Sequence, residues 1–257
     1  MGFSRARAQD ENAALRPPLK ASCEMQAFAS IRAVTFDIGG TLIEPWPSVG
    51  HVYAEVAARH GLRPDPVQVN RQFAAAWDAK SNFDYSRAAW AELVAKAFVD
   101  ESGVPRKVPF FDELYDRFSQ PQVWRIYDDV APALESLCRR GFKLGVISNW
   151  DERLRPLLRL LDLDRFFATM IISNEIGWHK PSAQIFQEAV RQLAAPASSI
   201  LHIGDSAGDD VEGARAAGFS ALEIQRSLRE AAPGCIRSLR QLESLSGRSP
   251  SSELTIR

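Results

Sequence analysis

The chain has 257 residues, 46% of them hydrophobic, and a formal net charge of −1. That length can bury one substantial core and a second, smaller unit, whereas the near-zero charge gives no field for holding nucleic acid or an anionic membrane surface. Cys23, Cys138 and Cys235 stand far apart in no metal-ligand spacing, which argues against a disulfide framework and suits a reducing, cytoplasmic setting.

Residues 1–29 mix Arg5 and Arg7 with Asp10 and Glu11 and lack an apolar signal-peptide stretch, so they are expected to form a disordered tail, with Met25 as an alternative start. No segment approaches the roughly 20 apolar residues of a membrane span. The first strand ends an apolar run, Ala33-Val34-Thr35-Phe36, on Asp37 and turns through Gly39-Gly40-Thr41. Its β-branched and aromatic character fits a strand buried on both faces. The two glycines let the backbone approach a ligand and point N–H groups at an anion.

After Leu42 the apolar spacing turns helical, over 49–60, 67–79, 87–102 and 110–118, with breaks at 61–64, 82–84 and 103–105. This predicts an inserted helical domain at 46–125, with Trp77, Phe83, Tyr85, Trp90 and Phe98 forming its own core. The rest reads as helix 130–140, strand 143–148, helix 152–161, strand 169–173, helix 182–193, strand 200–204, helix 211–217 and strand 221–224. A closing helix at 236–245 and a Ser-rich, disordered tail at 246–257 follow. Strands separated by helices predict an α/β fold with a doubly wound parallel sheet, its core domain made of 30–45 and 126–245. In such sheets ligands bind beyond the carboxyl ends of the strands.

Those ends carry chemistry. Asp37 follows the first strand, Ser148-Asn149 the second, and Gly204-Asp205 with Asp209-Asp210 the fourth, while Lys180 lies between the third strand and its helix. Singly, each has a plain structural reading; the acidic pair, for example, suits a helix cap. Jointly they put a nucleophile, a hydroxyl, a cation and two acidic groups at one crevice.

In these four motifs, Asp37-Ile38-Gly39-Gly40-Thr41, Ser148, Lys180 and Gly204-Asp205-Ser206-Ala207-Gly208-Asp209-Asp210, the chain resembles the haloacid dehalogenase (HAD) superfamily over about residues 31–245. The helical insert sits where that superfamily places a class 1 cap on its Rossmannoid core. Val49-Gly50-His51-Val52-Tyr53, Val146-Ile147-Ser148-Asn149-Trp150-Asp151 and Gly177-Trp178-His179-Lys180-Pro181 resemble the rhythmically expressed gene 2 subfamily. The resemblance implies a Mg²⁺-dependent phosphatase acting on a small phosphorylated metabolite; a monomer is the default, because no exposed apolar repeat suggests otherwise. Asp37 would attack phosphorus to form an aspartyl-phosphate, with Ser148 and Lys180 completing the catalytic set. Gly40, Thr41, Ser148, Asn149 and Lys180 would bind substrate. The metal ligands would be Asp37, the Gly39 carbonyl and Asp205, with Asp209 and Asp210 holding Lys180 or a water behind them.

One departure matters. Phosphatases of this superfamily carry an aspartate two positions after the nucleophile as general acid and base, and here that position is Gly39. General acid–base catalysis is worth about 10²–10⁴-fold, so alkyl phosphates are expected to turn over slowly, aryl and acyl phosphates less so. Gly39→Asp is expected to raise phosphomonoester turnover where the pocket is otherwise intact. Glu44, His51 or a side chain of the helical insert are the candidate replacements. The gap leaves open a catalytically impaired phosphate- and Mg²⁺-binding protein, a phosphonate C–P hydrolase using Lys80, and a 2-haloacid dehalogenase.

Overall fold

The computed structural model describes residues 30–81, 83–99, 107–226 and 234–244. The predicted tails 1–29 and 246–257, residues 100–102 of the third predicted helix and the break at 103–105 lie outside the described residues.

Four strands are almost wholly buried: β1 (Ala33–Phe36), β4 (Lys143–Ser148), β5 (Thr169–Ile172) and β6 (Ile200–Gly204). With β7 (Ser220–Ile224) and β8 (Cys235–Ile236) they form a six-stranded sheet in the order β5-β4-β1-β6-β7-β8, every adjacent pair parallel. The α/β, doubly wound parallel arrangement read from the sequence is therefore present. Chain order reverses across β1, which places the ends of β1, β4 and β6 at one switch point. One apolar layer, including Leu134, Leu137, Leu154 and Leu158, covers one sheet face, and a second, including Ile185, Phe186, Ala189 and Ala214, covers the other.

Three readings are corrected. The expected closing helix at 236–245 starts instead as strand β8 and ends as a 3₁₀ turn, Leu239–Ser244. The helix expected at 211–217 begins earlier, as a π-helical turn over Ala207–Glu212. Strands β2 (Ile43–Pro45) and β3 (Trp124–Ile126), unanticipated, pair antiparallel where the chain leaves and re-enters the sheet, so β3 straddles the predicted boundary at 125/126. Pieces of two or three residues carry no readable periodicity.

Between β2 and β3 lie α1 (Val49–Arg59), α2 (Pro66–Asp78), α3 (Arg87–Ala97) and α4 (Phe111–Arg117). Ser48, Asp65 and Ser86 start the first three by accepting hydrogen bonds from first-turn amides, and Pro66 opens α2. At Gly50 a Cβ would lie 2.1 Å from the Pro66 carbonyl, so only glycine lets α1 and α2 approach so closely. Tyr53, Val56, Val69, Val94 and Leu114 form this unit's own apolar cluster.

The chain after β7 is tied back to the loop that follows Asp37. Arg226 donates to both Asp129 carboxylate oxygens, at 3.0 and 3.1 Å, and to the Thr41 carbonyl at 2.6 and 2.9 Å. Ser238 Oγ and the Leu239 N–H add bonds to Asp129, both 2.7 Å. Burial pulls the Asp129 carboxyl upward, but these hydrogen bonds and the Arg226 charge outweigh it and hold it below the ordinary carboxylate value. A depressed folded-state value means stability present above the unfolded value of about 3.9 and lost as pH falls through the folded one. Asp129→Asn is therefore expected to cost about 1–3 kcal/mol at pH 7, the scale of hydrogen bonds to a charged group, and to flatten the loss of stability below about pH 4. Urea unfolding at pH 7 and pH 3.5 checks both; an equal pH slope in the two proteins would contradict it.

Candidate active site

Asp37 follows the last residue of β1 and its amide is fixed by the Ile203 carbonyl at 2.9 Å. Its Oδ1 accepts from Ser148 Oγ, at the end of β4, and from Lys180 Nζ, both at 2.8 Å. Lys180, 3% exposed, also donates to Asp210 Oδ1 at 2.5 Å. Its loop is held by Asn149, which donates Nδ2–H to the Lys180 carbonyl at 2.9 Å and accepts the Lys180 N–H at 2.6 Å. Asn149 thus positions the lysine through its backbone.

Behind Asp210 runs a chain absent from the sequence reading. His202 Nε2 lies 3.1 Å from Asp210 Oδ1 and its Nδ1 2.9 Å from Thr35 Oγ1, with both residues fully buried. Burial disfavours the imidazolium and lowers the His202 value, so the neutral ring donates Nε2–H to Asp210 and accepts from Thr35. At Asp210 burial pushes the carboxyl up, but Lys180 and His202 overcome it and hold the group ionised. Burial opposes the Lys180 charge, and Asp210 and Asp37 more than restore it. Asp210 therefore carries the role shared in the sequence reading with Asp209. Asp209 instead gives its N–H to Ser206 Oγ at 3.2 Å, and burial raises its carboxyl.

Asp37, Asp205 and Asp210 bring one oxygen each within 4.8 Å of one another. Three carboxylates against one ammonium leave an excess of two negative charges. Burial, then the neighbouring Asp210, raises the Asp37 carboxyl against the pull of Lys180, and burial, then Asp37 and Asp210, raises Asp205 to about 7. A cluster of hard oxygen donors with that excess fits a small divalent cation such as Mg²⁺.

Gly40 is obligatory. Its φ is +72° and a Cβ there would lie 2.3 Å from Asp205 Oδ2. Its amide, expected to face an anion, instead donates to the Ile43 carbonyl at 2.9 Å. Thr41, expected to bind substrate, is fully buried with Oγ1 3.5 Å from Asp205 Oδ1, so it braces a carboxylate instead of reaching the crevice. Glu44 is engaged by Arg125 and by Tyr127 Oη at 3.2 Å, and the exposed His51 by Ser48 Oγ at 2.8 Å. Neither lines the crevice, so neither replaces the missing acid.

Position 39 is covered by Trp150. A Cβ on Gly39 would lie 3.3 Å from Trp150 Cζ3, and the indole is backed by Trp124 with ring centroids 5.3 Å apart. The pocket is thus not otherwise intact for an added carboxylate. Gly39→Asp alone is expected to raise glycerol phosphate turnover less than tenfold, and Gly39→Asp with Trp150→Ala to give more, within the roughly 10²–10⁴-fold of acid–base catalysis. A single variant as active as the double would contradict this.

The crevice opens into a cavity of about 410 Å³ whose lining includes Trp77, Lys80, Tyr85 and Trp90. The aromatic residues expected to be core are thus divided: Phe98 packs in the helical cluster, whereas Trp77, Tyr85 and Trp90 form cavity wall. Tyr85 holds a left-handed backbone at φ 61°, uncommon for a bulky residue. Burial raises its hydroxyl to about 12, against the Asn149 side chain, which favours the charged form. Lys80 Nζ sits 3.9 Å over the Trp77 ring.

A parallel sheet with a carboxylate, a buried lysine and an acidic cluster at its switch point suits a hydrolase, and comparison with known proteins agrees. A family model described as haloacid dehalogenase-like hydrolase matches residues 31–218. Haloacid dehalogenase-like hydrolase domain-containing protein 3 of Mus musculus is 32% identical over 209 residues, 77% of this chain and 83% of that protein. The rhythmically expressed gene 2 protein of Drosophila melanogaster is 29% identical over 79% of this chain and 86% of its own. The magnesium-bound HAD-hydrolase YfnB from Bacillus subtilis superposes with a TM-score of 0.70 at 18% identity, covering 84% of this chain and 98% of that one. The chain belongs to the haloacid dehalogenase-like hydrolases. Among the described residues no helix is long and apolar enough to cross a membrane.

Proposed function

We propose that the chain is a Mg²⁺-dependent phosphatase that transfers the phosphoryl group of a small phosphorylated molecule to Asp37 and then to water. One observation carries this reading: Asp37 Oδ1 is held by Ser148 and Lys180 while its carboxylate belongs to an acidic cluster with Asp205 and Asp210. Ser148 and Lys180 orient Asp37 and offer N–H and O–H donors to phosphoryl oxygens as charge spreads over them. Asp210, braced by His202, keeps Lys180 charged and in place. Asp37, the Gly39 carbonyl and Asp205 would hold the Mg²⁺, which when bound supplies charge neutralisation at the phosphoryl group. Asp205 in this cluster favours metal-dependent phosphate chemistry over dehalogenation. Residues 30–45 and 126–245 act as the catalytic core, with 46–125 as a helical cap above the crevice.

The experiment is hydrolysis of para-nitrophenyl phosphate and acetyl phosphate by the purified protein, in EDTA and after adding back Mg²⁺. Turnover lost in EDTA and regained with Mg²⁺ is expected. Metal-indifferent turnover, or none in folded protein, would overturn the reading.

A further inference from the structure

The site's floor handles phosphate, and its walls have a different character. Above Asp37, Ser148, Lys180 and Asp205 the cavity of about 410 Å³ rises between the helices, large enough for a whole small ligand. Its wall is a continuous chain of rings: Tyr53 to Phe73 at 5.7 Å between centroids, Phe73 to Trp77 at 6.2 Å, Trp77 to Trp90 at 5.8 Å, and Trp90 to Tyr85 at 6.5 Å. Rings serving only as core would interdigitate and close such a space; these leave it open directly over the nucleophile.

A second, independent observation concerns the leaving group. Position 39 is glycine and lies under Trp150, so it offers no acid to protonate the departing oxygen. Alcohols that leave as stable anions need none.

We propose that this phosphatase site is directed to aryl phosphates, monoesters whose leaving group is a planar aromatic alcohol of low basicity, and the assignment rests on the phosphatase reading above. Asp37 attacks phosphorus, the P–O bond to the ring breaks, and the aryloxide leaves with the bonding electron pair and takes its proton from water. A second water then attacks phosphorus, releasing inorganic phosphate and free Asp37. The ring occupies the aromatic cavity, stacked against the Trp77 and Trp90 wall.

The test measures kcat/KM of the Mg²⁺-loaded protein for 1-naphthyl phosphate, phenyl phosphate and acetyl phosphate. Naphthol and phenol are similarly acidic, so their ratio reads ring recognition and not leaving ability. A preference of about tenfold for the naphthyl ester is expected, mostly in KM, corresponding to roughly 55 Å² more buried apolar surface at about 25 cal/mol/Å². Trp77→Ala should bring the ratio close to one. Should that variant fail to fold, binding of 1-naphthylphosphonate against phenylphosphonate to the unaltered protein, read by tryptophan fluorescence, carries the same test. Equal constants for the two aryl esters, with acetyl phosphate hydrolysed and that activity lost in Asp37→Asn, would overturn the aryl assignment and leave the phosphatase standing. No Mg²⁺-dependent turnover of any of the three would overturn both.

Discussion

Replacement of Asp37 by asparagine is expected to cut Mg²⁺-dependent hydrolysis of para-nitrophenyl phosphate by roughly 10⁴-fold or more, the scale on which loss of a nucleophile leaves only binding and electrostatic effects. The amide keeps the size of the carboxylate and can still accept from Ser148 and Lys180 through its oxygen. Burial already disfavours the Asp37 charge, so the fold should tolerate its loss. Activity should therefore collapse while the thermal transition stays near that of the unaltered protein. Turnover within tenfold of that protein would remove Asp37 as nucleophile.

Lys180→Met is expected to act on both fold and activity. The lysine side chain is 2% exposed and holds two carboxylates, Asp37 and Asp210. Removing one partner of a buried ion pair leaves uncompensated charge and costs about 3–5 kcal/mol. Here that charge lies at the acidic cluster with Asp205, and no other lysine is bonded to Asp37 or Asp210 among the described residues. Urea unfolding in EDTA should show the loss directly. Mg²⁺ should then restore more stability to the variant than to the unaltered protein, because the folded variant's carboxylate cluster carries one more uncompensated negative charge for the ion to neutralise. A stability change below about 1 kcal/mol, the scale of an exposed pair, would contradict the buried ion-pair chain.

The sheet and its chemistry were legible where contiguous words carried them. Ala33 to Phe36 is uniformly apolar apart from Thr35, and the residues after each strand announced the crevice because a parallel sheet brings strand ends together. What stayed hidden depends on contacts distant in sequence or on pieces too short to show a period. Trp150 follows Asn149 as an ordinary aromatic residue, and nothing local shows that its ring lies over Gly39. His202 and Thr35 read as strand residues, yet neighbouring strands set them side by side and join them to Asp210. The Gly40 amide looked free for an anion until the turn spent it on Ile43. Trp77, Tyr85 and Trp90 have the spacing of core residues, and only the packing of helices above the sheet shows the space they enclose.

During turnover a phosphoryl group is expected to rest covalently on Asp37. The most direct measurement is acid quench during para-nitrophenyl phosphate turnover, borohydride reduction of any acyl phosphate, and peptide mass spectrometry. Homoserine at position 37 is expected, formed with Mg²⁺ and absent in EDTA. No modification during active turnover, or one confined to another residue, would contradict it.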